Sequence, residues 1–119
     1  MNIYSKVVPC LKMELSEACY RFFSTLANPT RLAVLENLVE GPMSVSQLTE
    51  SLGQEQSMVS HNLKPLLQCR FVNAERRGKE RIYHINSETI DALFKTVKNH
   101  TEKYCPTGGM CPAGRRKED

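Results

Sequence analysis

The sequence predicts an α+β fold, mainly α, of about five helices and one β-hairpin, and three observations carry that prediction. Apolar residues recur at helical spacing along most of the chain. Helix start and stop signals punctuate them: Asn28-Pro29, Ser44 with Gln47, and Gly53. Between residues 71 and 85 the pattern changes to two strand-like runs around Arg77, Gly78, Lys79 and Glu80. A length of 119 residues fits one hydrophobic core and excludes two folded domains.

Residues 1–13 are too loosely patterned for an element and read as an N-terminal arm. The first helix carries Leu15, Ala18, Cys19, Phe22 and Leu26 on one stripe. Asn28 can cap free backbone N–H groups, and Pro29 is tolerated at the first helical position, so a second helix starts there. It turns Leu32, Leu35 and Leu38 inward and runs to Gly41 and Pro42. Ser44 and Gln47 form a capping-box pattern that opens a short third helix ending near Leu52 and Gly53. A longer fourth helix follows over 55–69. Pro65 inside it removes one backbone hydrogen bond, which leaves open whether the helix kinks or ends early.

Residues 71–76 and 81–85 are expected as strands of a basic hairpin. Ser87 is the expected cap of a last helix with Ile90, Leu93, Phe94, Val97 and Tyr104 on one face and Lys95, Lys98 and Lys103 outside. The glycines, prolines and charges after it mark a tail. The expected organisation is therefore an arm, 1–13, a folded domain, 14–104, and a cysteine-containing tail, 105–119.

No apolar run approaches the roughly 18 residues that a membrane helix needs, and the first residues lack a secretory pattern. The expected location is the cytoplasm, with no membrane partner. There the five cysteines would stay reduced, and their odd number argues against a fully paired disulfide framework. A net charge of +3 is too small to argue for nucleic acid by itself. Its distribution says more: Lys64, Arg70, Arg76, Arg77, Lys79 and Arg81 face only Glu75 and Glu80 in the same stretch.

A short helix, a glycine turn, a longer helix and a basic hairpin together make a winged helix-turn-helix. The longer helix fits a major groove about 12 Å wide and can present Gln56, Ser57, Ser60, His61 and Lys64 to base edges. Met58, Val59, Leu63 and Leu66 then belong to the inward set. The wing would lay Arg77, Lys79 and Arg81 along phosphates or a neighbouring minor groove. The expected partner is double-stranded operator DNA.

Three segments resemble one family: Leu26-Ala27-Asn28-Pro29-Thr30-Arg31-Leu32, Ser57-Met58-Val59-Ser60-His61-Asn62-Leu63, and Arg77-Gly78-Lys79 followed by Ile82-Tyr83. They look like the ArsR/SmtB winged-helix repressors, with the similarity running over about 15–103. The resemblance implies a homodimer joined through its first and last helices, which releases an operator when a metal or a redox signal reaches it. The apolar load of those two helices suits such an interface.

The resemblance narrows the inducer site by what this chain lacks. The paired cysteines of the family's arsenic sensors are replaced in the third helix by Ser44-Val45-Ser46-Gln47-Leu48, and the last helix offers Asp91, Ala92, Leu93 and His100 where a zinc-type site needs further ligands. The stronger thiol signal is Cys105-Pro106-Thr107-Gly108-Gly109-Met110-Cys111, whose two glycines let both sulfurs turn to one ion or to each other. Some arsenic sensors of the family have a C-terminal cluster of similar gap, with a further cysteine where Tyr104 stands. Trivalent arsenic takes three sulfur ligands, and Cd and Pb also favour thiolates. Cys10 is the first candidate for the third, because family sensors use N-terminal thiols. Cys69 is second, since Pro65 stands where its companion ligand would be. Cys19, in an apolar stripe, reads as a small hydrophobe.

The expected function is thus a repressor induced by arsenite, Cd or Pb through Cys105, Cys111 and Cys10, with no cofactor required for DNA binding. The alternative is a disulfide or persulfide switch using Cys105 and Cys111, although the second helix has Glu36 and no cysteine for that branch's pairing. His61 reads as a DNA contact, His84 and His100 as structural. Two Cys-Pro dipeptides are weak grounds for haem. No nucleophile, base and orienting group fall on a recognisable motif, so an enzyme is not expected.

Overall fold

The computed structural model describes residues 14–105. The arm, 1–13, and the tail from 106 onward lie outside the described residues, and with them the Cys10 and Cys111 ligand expectations.

The described chain forms two compact units that meet in sequence between Ile85 and Asn86. The first contains four helices and a sheet: α1 Leu15–Leu26, α2 Pro29–Val39, β1 Met43–Ser44, α3 Val45–Leu52, α4 Gln56–Gln68, β2 Val72–Arg77 and β3 Glu80–Ile85. The second contains one long helix, α5 Ser87–Tyr104. The expected winged helix-turn-helix architecture is present, with one strand more than expected. Met43 and Ser44 pair antiparallel with Tyr83 and Ile82, making a sheet of order β1-β3-β2.

Local chemistry explains the element boundaries. Asn28 Oδ1 accepts from the Arg31 backbone N–H at 3.1 Å, with Pro29 first in the helix, so α2 begins as its sequence dictates. Ser44 Oγ accepts from the Gln47 N–H and the Gln47 side chain accepts from the Ser44 N–H, a complete capping box. Gly53 closes α3 at φ 66°, a left-handed conformation that a side chain would strain. The fourth helix continues through Pro65; the Cys69 N–H reaches the Pro65 carbonyl at 3.0 Å as the helix closes. Proline therefore neither breaks the helix nor shortens it by more than a residue.

The core of the first unit is built from Leu26, Val34, Leu35, Leu38, Leu48, Val59, Leu63, Leu66, Phe71, Val72, Ile82 and Tyr83, all buried. Phe22 packs edge-on against Phe71 with ring centroids 4.9 Å apart, which fastens α1 to the entry of the hairpin. In the second unit Ile90 is buried, whereas Val97 and Tyr104 are exposed.

Several side chains depart from expectation. Leu32 and Met58 are exposed, and the inward positions of α2 include Val34. A period-3.6 stripe has edges, and both residues sit on one. Cys19 is exposed, so the reading of it as a buried hydrophobe is corrected: its stripe on α1 also carries exposed Leu15 and only Leu26 is fully covered. Asn86, not Ser87, holds the N-cap position of α5, its carbonyl accepting from the Thr89 and Ile90 N–H groups. The hairpin turn is two residues, Gly78 and Lys79, because Gly78 supplies the φ of 63° that a tight turn needs at its first position.

Candidate nucleic-acid interface

The face of α4 follows from which of its residues are held inside. Val59, Asn62, Leu63 and Leu66 are buried. Gln56, Ser57, Ser60, His61 and Lys64 are all exposed. At about 100° per residue these five fall within an arc of about 140°, so they form one polar face. The turn before α4 sets its approach. Gly53 reverses the chain, and the Gln54 side chain reaches Thr30 Oγ1 at 3.5 Å.

Asn62 is the part of this helix that pattern reading missed. It is one of two buried polar residues among those described, the other being Ser44. Its Oδ1 accepts from Arg31 Nε at 3.0 Å, and its Nδ2 donates to the Met58 carbonyl at 3.0 Å. Arg31 Nη1 also donates to the Thr25 carbonyl at 3.0 Å. The last turn of α1, the first turn of α2 and the inner side of α4 are thus joined by one guanidinium. The signal was a polar residue within the apolar positions of α4, at a spacing where a core residue belongs.

The hairpin presents its charges on two different faces. Pairing runs Ala74 with Tyr83, Glu75 with Ile82, Arg76 with Arg81, and Arg77 with Glu80. Strand alternation places Arg81 on the same face as Arg76 and Tyr83, and Arg77 on the other with Glu75 and Glu80. Arg77 Nε lies 2.8 Å from Glu75 Oε2, an exposed ion pair. The three expected wing contacts are therefore not on one surface: Lys79 is in the turn, and Arg77 and Arg81 face opposite ways.

Of the thiols, Cys105 is half-buried and closes α5, its backbone N–H bonded to the Thr101 carbonyl at 2.9 Å. Cys69 is exposed at the end of α4, with its Sγ 3.6 Å from Thr25 Oγ1. Among the described residues no three His, Cys, Asp or Glu side chains are placed to hold a metal ion. His84 is half-buried on β3, and the His100 ring lies 5.1 Å from that of Tyr104. Among the described residues no helix is long and apolar enough to cross a membrane.

Residues 28–74 match the family described as bacterial regulatory protein, arsR family, and this span contains α2, α3, α4 and the start of the hairpin. The HTH-type transcriptional regulator NmtR of Mycobacterium tuberculosis is 36% identical over 90 residues, which cover 73% of this chain and 75% of that protein. The chain belongs to the arsR family.

It is accordingly a DNA-binding transcriptional regulator, as the three sequence motifs imply. Two further comparisons bear on its function. The probable mercury resistance operon repressor of Streptomyces lividans is 34% identical over 91 residues, covering 76% of this chain and 70% of that one. A winged helix-turn-helix DNA-binding domain from Mycobacterium bovis, described as homodimeric and as a possible ArsR-family regulator, superposes with a TM-score of 0.69 at 28% identity. It covers 76% of this chain and 84% of that chain.

Proposed function

We propose that this ArsR-family protein is a homodimeric repressor, acting on operator DNA in the cytoplasm, that lets go when a thiophilic metal or metalloid binds its cysteine thiolates. The observation that carries the DNA half is the polar face of α4. Gln56, Ser57, Ser60, His61 and Lys64 stand together in solvent on a helix whose other side is fixed by three apolar residues and Asn62. Base edges in a major groove are read by side chains of this kind. Lys79 and Arg81 supply backbone attraction from the hairpin, while Arg77, facing two carboxylates, contributes less.

Support for the dimer comes from apolar surface left uncovered. On α1, Leu15, Tyr20 and Phe23 are exposed, Tyr20 to 73%, and on α5 so are Val97 and Tyr104. A chain of this size has little reason to leave such residues wet unless a second copy covers them. The homodimeric description of the M. bovis domain agrees with that reading.

Support for a thiol-held inducer is chemical. Cys105 sits half-buried at the end of α5, a soft donor next to a proposed dimer helix. With Cys111 and Cys10 it gives the three sulfurs that arsenite, Cd or Pb favours. The mercury repressor from S. lividans is named for a metal of the same preference. Coupling of about 1 to 3 kcal/mol between the two sites would weaken operator binding roughly 5- to 150-fold.

The test is a titration of the reduced protein, bound to labelled DNA from upstream of its own gene, with arsenite, Cd, Pb, Zn and a persulfide donor in turn. Release by arsenite, Cd or Pb, lost when Cys105, Cys111 and Cys10 are changed to Ser, is the expected result. Release by the persulfide donor alone would replace the metal by sulfur oxidation. No preference for that DNA over random fragments would remove the proposal.

A further inference from the structure

The hairpin is polarised in a way that its net charge hides. Both of its carboxylates, Glu75 and Glu80, lie on the Arg77 face. The opposite face carries Arg76 and Arg81 directly across from each other, with no carboxylate of the hairpin on their side. Both arginines are exposed. The Arg81 guanidinium carbon stands 5.7 Å from the centroid of the buried Tyr83 ring, which holds it over this face. Like charges directly opposite on neighbouring strands destabilise a sheet, and their Cβ atoms come within about 4.5 to 5.5 Å. An anion between them turns that repulsion into two attractions.

We propose that Arg76 and Arg81 form a two-pronged fork for a single phosphate of the DNA backbone, and that this fork is the main electrostatic contact of the wing. The inference rests on the reading above, that α4 places the hairpin beside a duplex. Guanidinium groups match phosphate oxygens in planar, bidentate fashion, and two of them at this separation can share the oxygens of one phosphate. Arg76 was not among the residues that sequence reasoning selected. Only the strand register reveals that it stands opposite Arg81.

The distinguishing measurement is the salt dependence of operator affinity for the full chain and for R76A, R81A and the double variant. Each phosphate contact contributes about 0.9 to the slope of log affinity against log salt. A shared phosphate predicts little loss of slope in either single variant, whose remaining arginine still neutralises it, and a loss of about 0.9 in the double variant. One methylphosphonate scanned along the wing-side backbone should weaken the wild type at a single position and leave the double variant unaffected there. Lysine at either position should restore part of the affinity but not the single-position sensitivity. The thermal melt of R76A should match or exceed the wild type, because it removes the cross-strand repulsion and leaves the Arg81 contact with Tyr83 in place; a fall in the melting temperature of R76A and of the double variant with no change in slope would assign the arginines to folding and overturn the proposal.

Additive slope losses would give each arginine its own phosphate, and an unchanged slope with a lost preference for A·T-rich flanks would put them in a minor groove. Either result overturns the fork while leaving operator recognition by α4 intact. Absence of operator preference in the wild type itself overturns both readings, and is measured first.

Discussion

Arg31 Nε donates to Asn62 Oδ1 at 3.0 Å, and the same guanidinium donates from Nη1 to the Thr25 carbonyl. The inner side of α4 is therefore held by a polar tie as well as by Val59, Leu63 and Leu66. Such a tie is directional where apolar packing is not, so it sets the rotation of α4 about its own axis.

Replacing Asn62 by Ala removes an acceptor from a half-buried guanidinium. The expected loss is about 1 to 3 kcal/mol, the cost of leaving a buried polar group without its partner. Arg31→Ala should cost a similar amount, and the double variant less than the sum, because both remove one interaction. Urea melts of the four proteins check this. Strict additivity would mean that the bond contributes nothing to stability.

Gly53→Ala places a side chain at φ 66° in the turn between α3 and α4. No atom obstructs the added Cβ, so the cost is conformational and not steric. It should be on the order of 1 kcal/mol. Operator affinity should fall further than stability does, since α4 takes its direction from this turn. Equal effects on melting and on DNA binding would show that the turn supports the fold alone.

Much of this was legible in the sequence because it depends on neighbours along the chain. Asn28 with Pro29, Ser44 with Gln47, and Gly53 each satisfy or redirect backbone groups within one helical turn, and the structure uses all three as their types dictate. The features that escaped depend on what comes alongside. The two-residue strand at Met43 exists only because Tyr83 and Ile82 offer their backbone to it. Asn62 is buried because Arg31 lies 31 residues away in sequence and 3.0 Å away in space. The wing charges were counted correctly, but the sorting of Arg77 from Arg76 and Arg81 needs the register.

Base readout by α4 is tested at Gln56 and His61. Changing either to Ala should alter preference at one or two operator positions by about 1 to 3 kcal/mol per contacted base and leave affinity for random DNA nearly unchanged. Binding to a library of randomised duplexes, followed by sequencing, reports both quantities. Identical selected sites for wild type and variants would move base recognition off this face.

The uncovered apolar surface of α1 gives the last prediction. Tyr20 and Phe23 are more than half exposed, and Phe23 touches Phe22 with ring centroids 5.1 Å apart. Putting Lys at Tyr20 or Phe23 leaves the buried residues of the first unit's core in place and at Phe23 removes one ring contact, with half-buried Phe22, so a monomer should keep most of its stability. A dimer joined through α1 would instead have to desolvate the new charge, which costs several kcal/mol unless it is paired. Sedimentation should show a shift from dimer to monomer at micromolar concentration, with operator affinity falling steeply because two half-sites can no longer be gripped together. If Phe23→Lys remains dimeric, α1 is not the interface, and the exposed apolar residues of α5, Val97 and Tyr104, become the place to put the same charge.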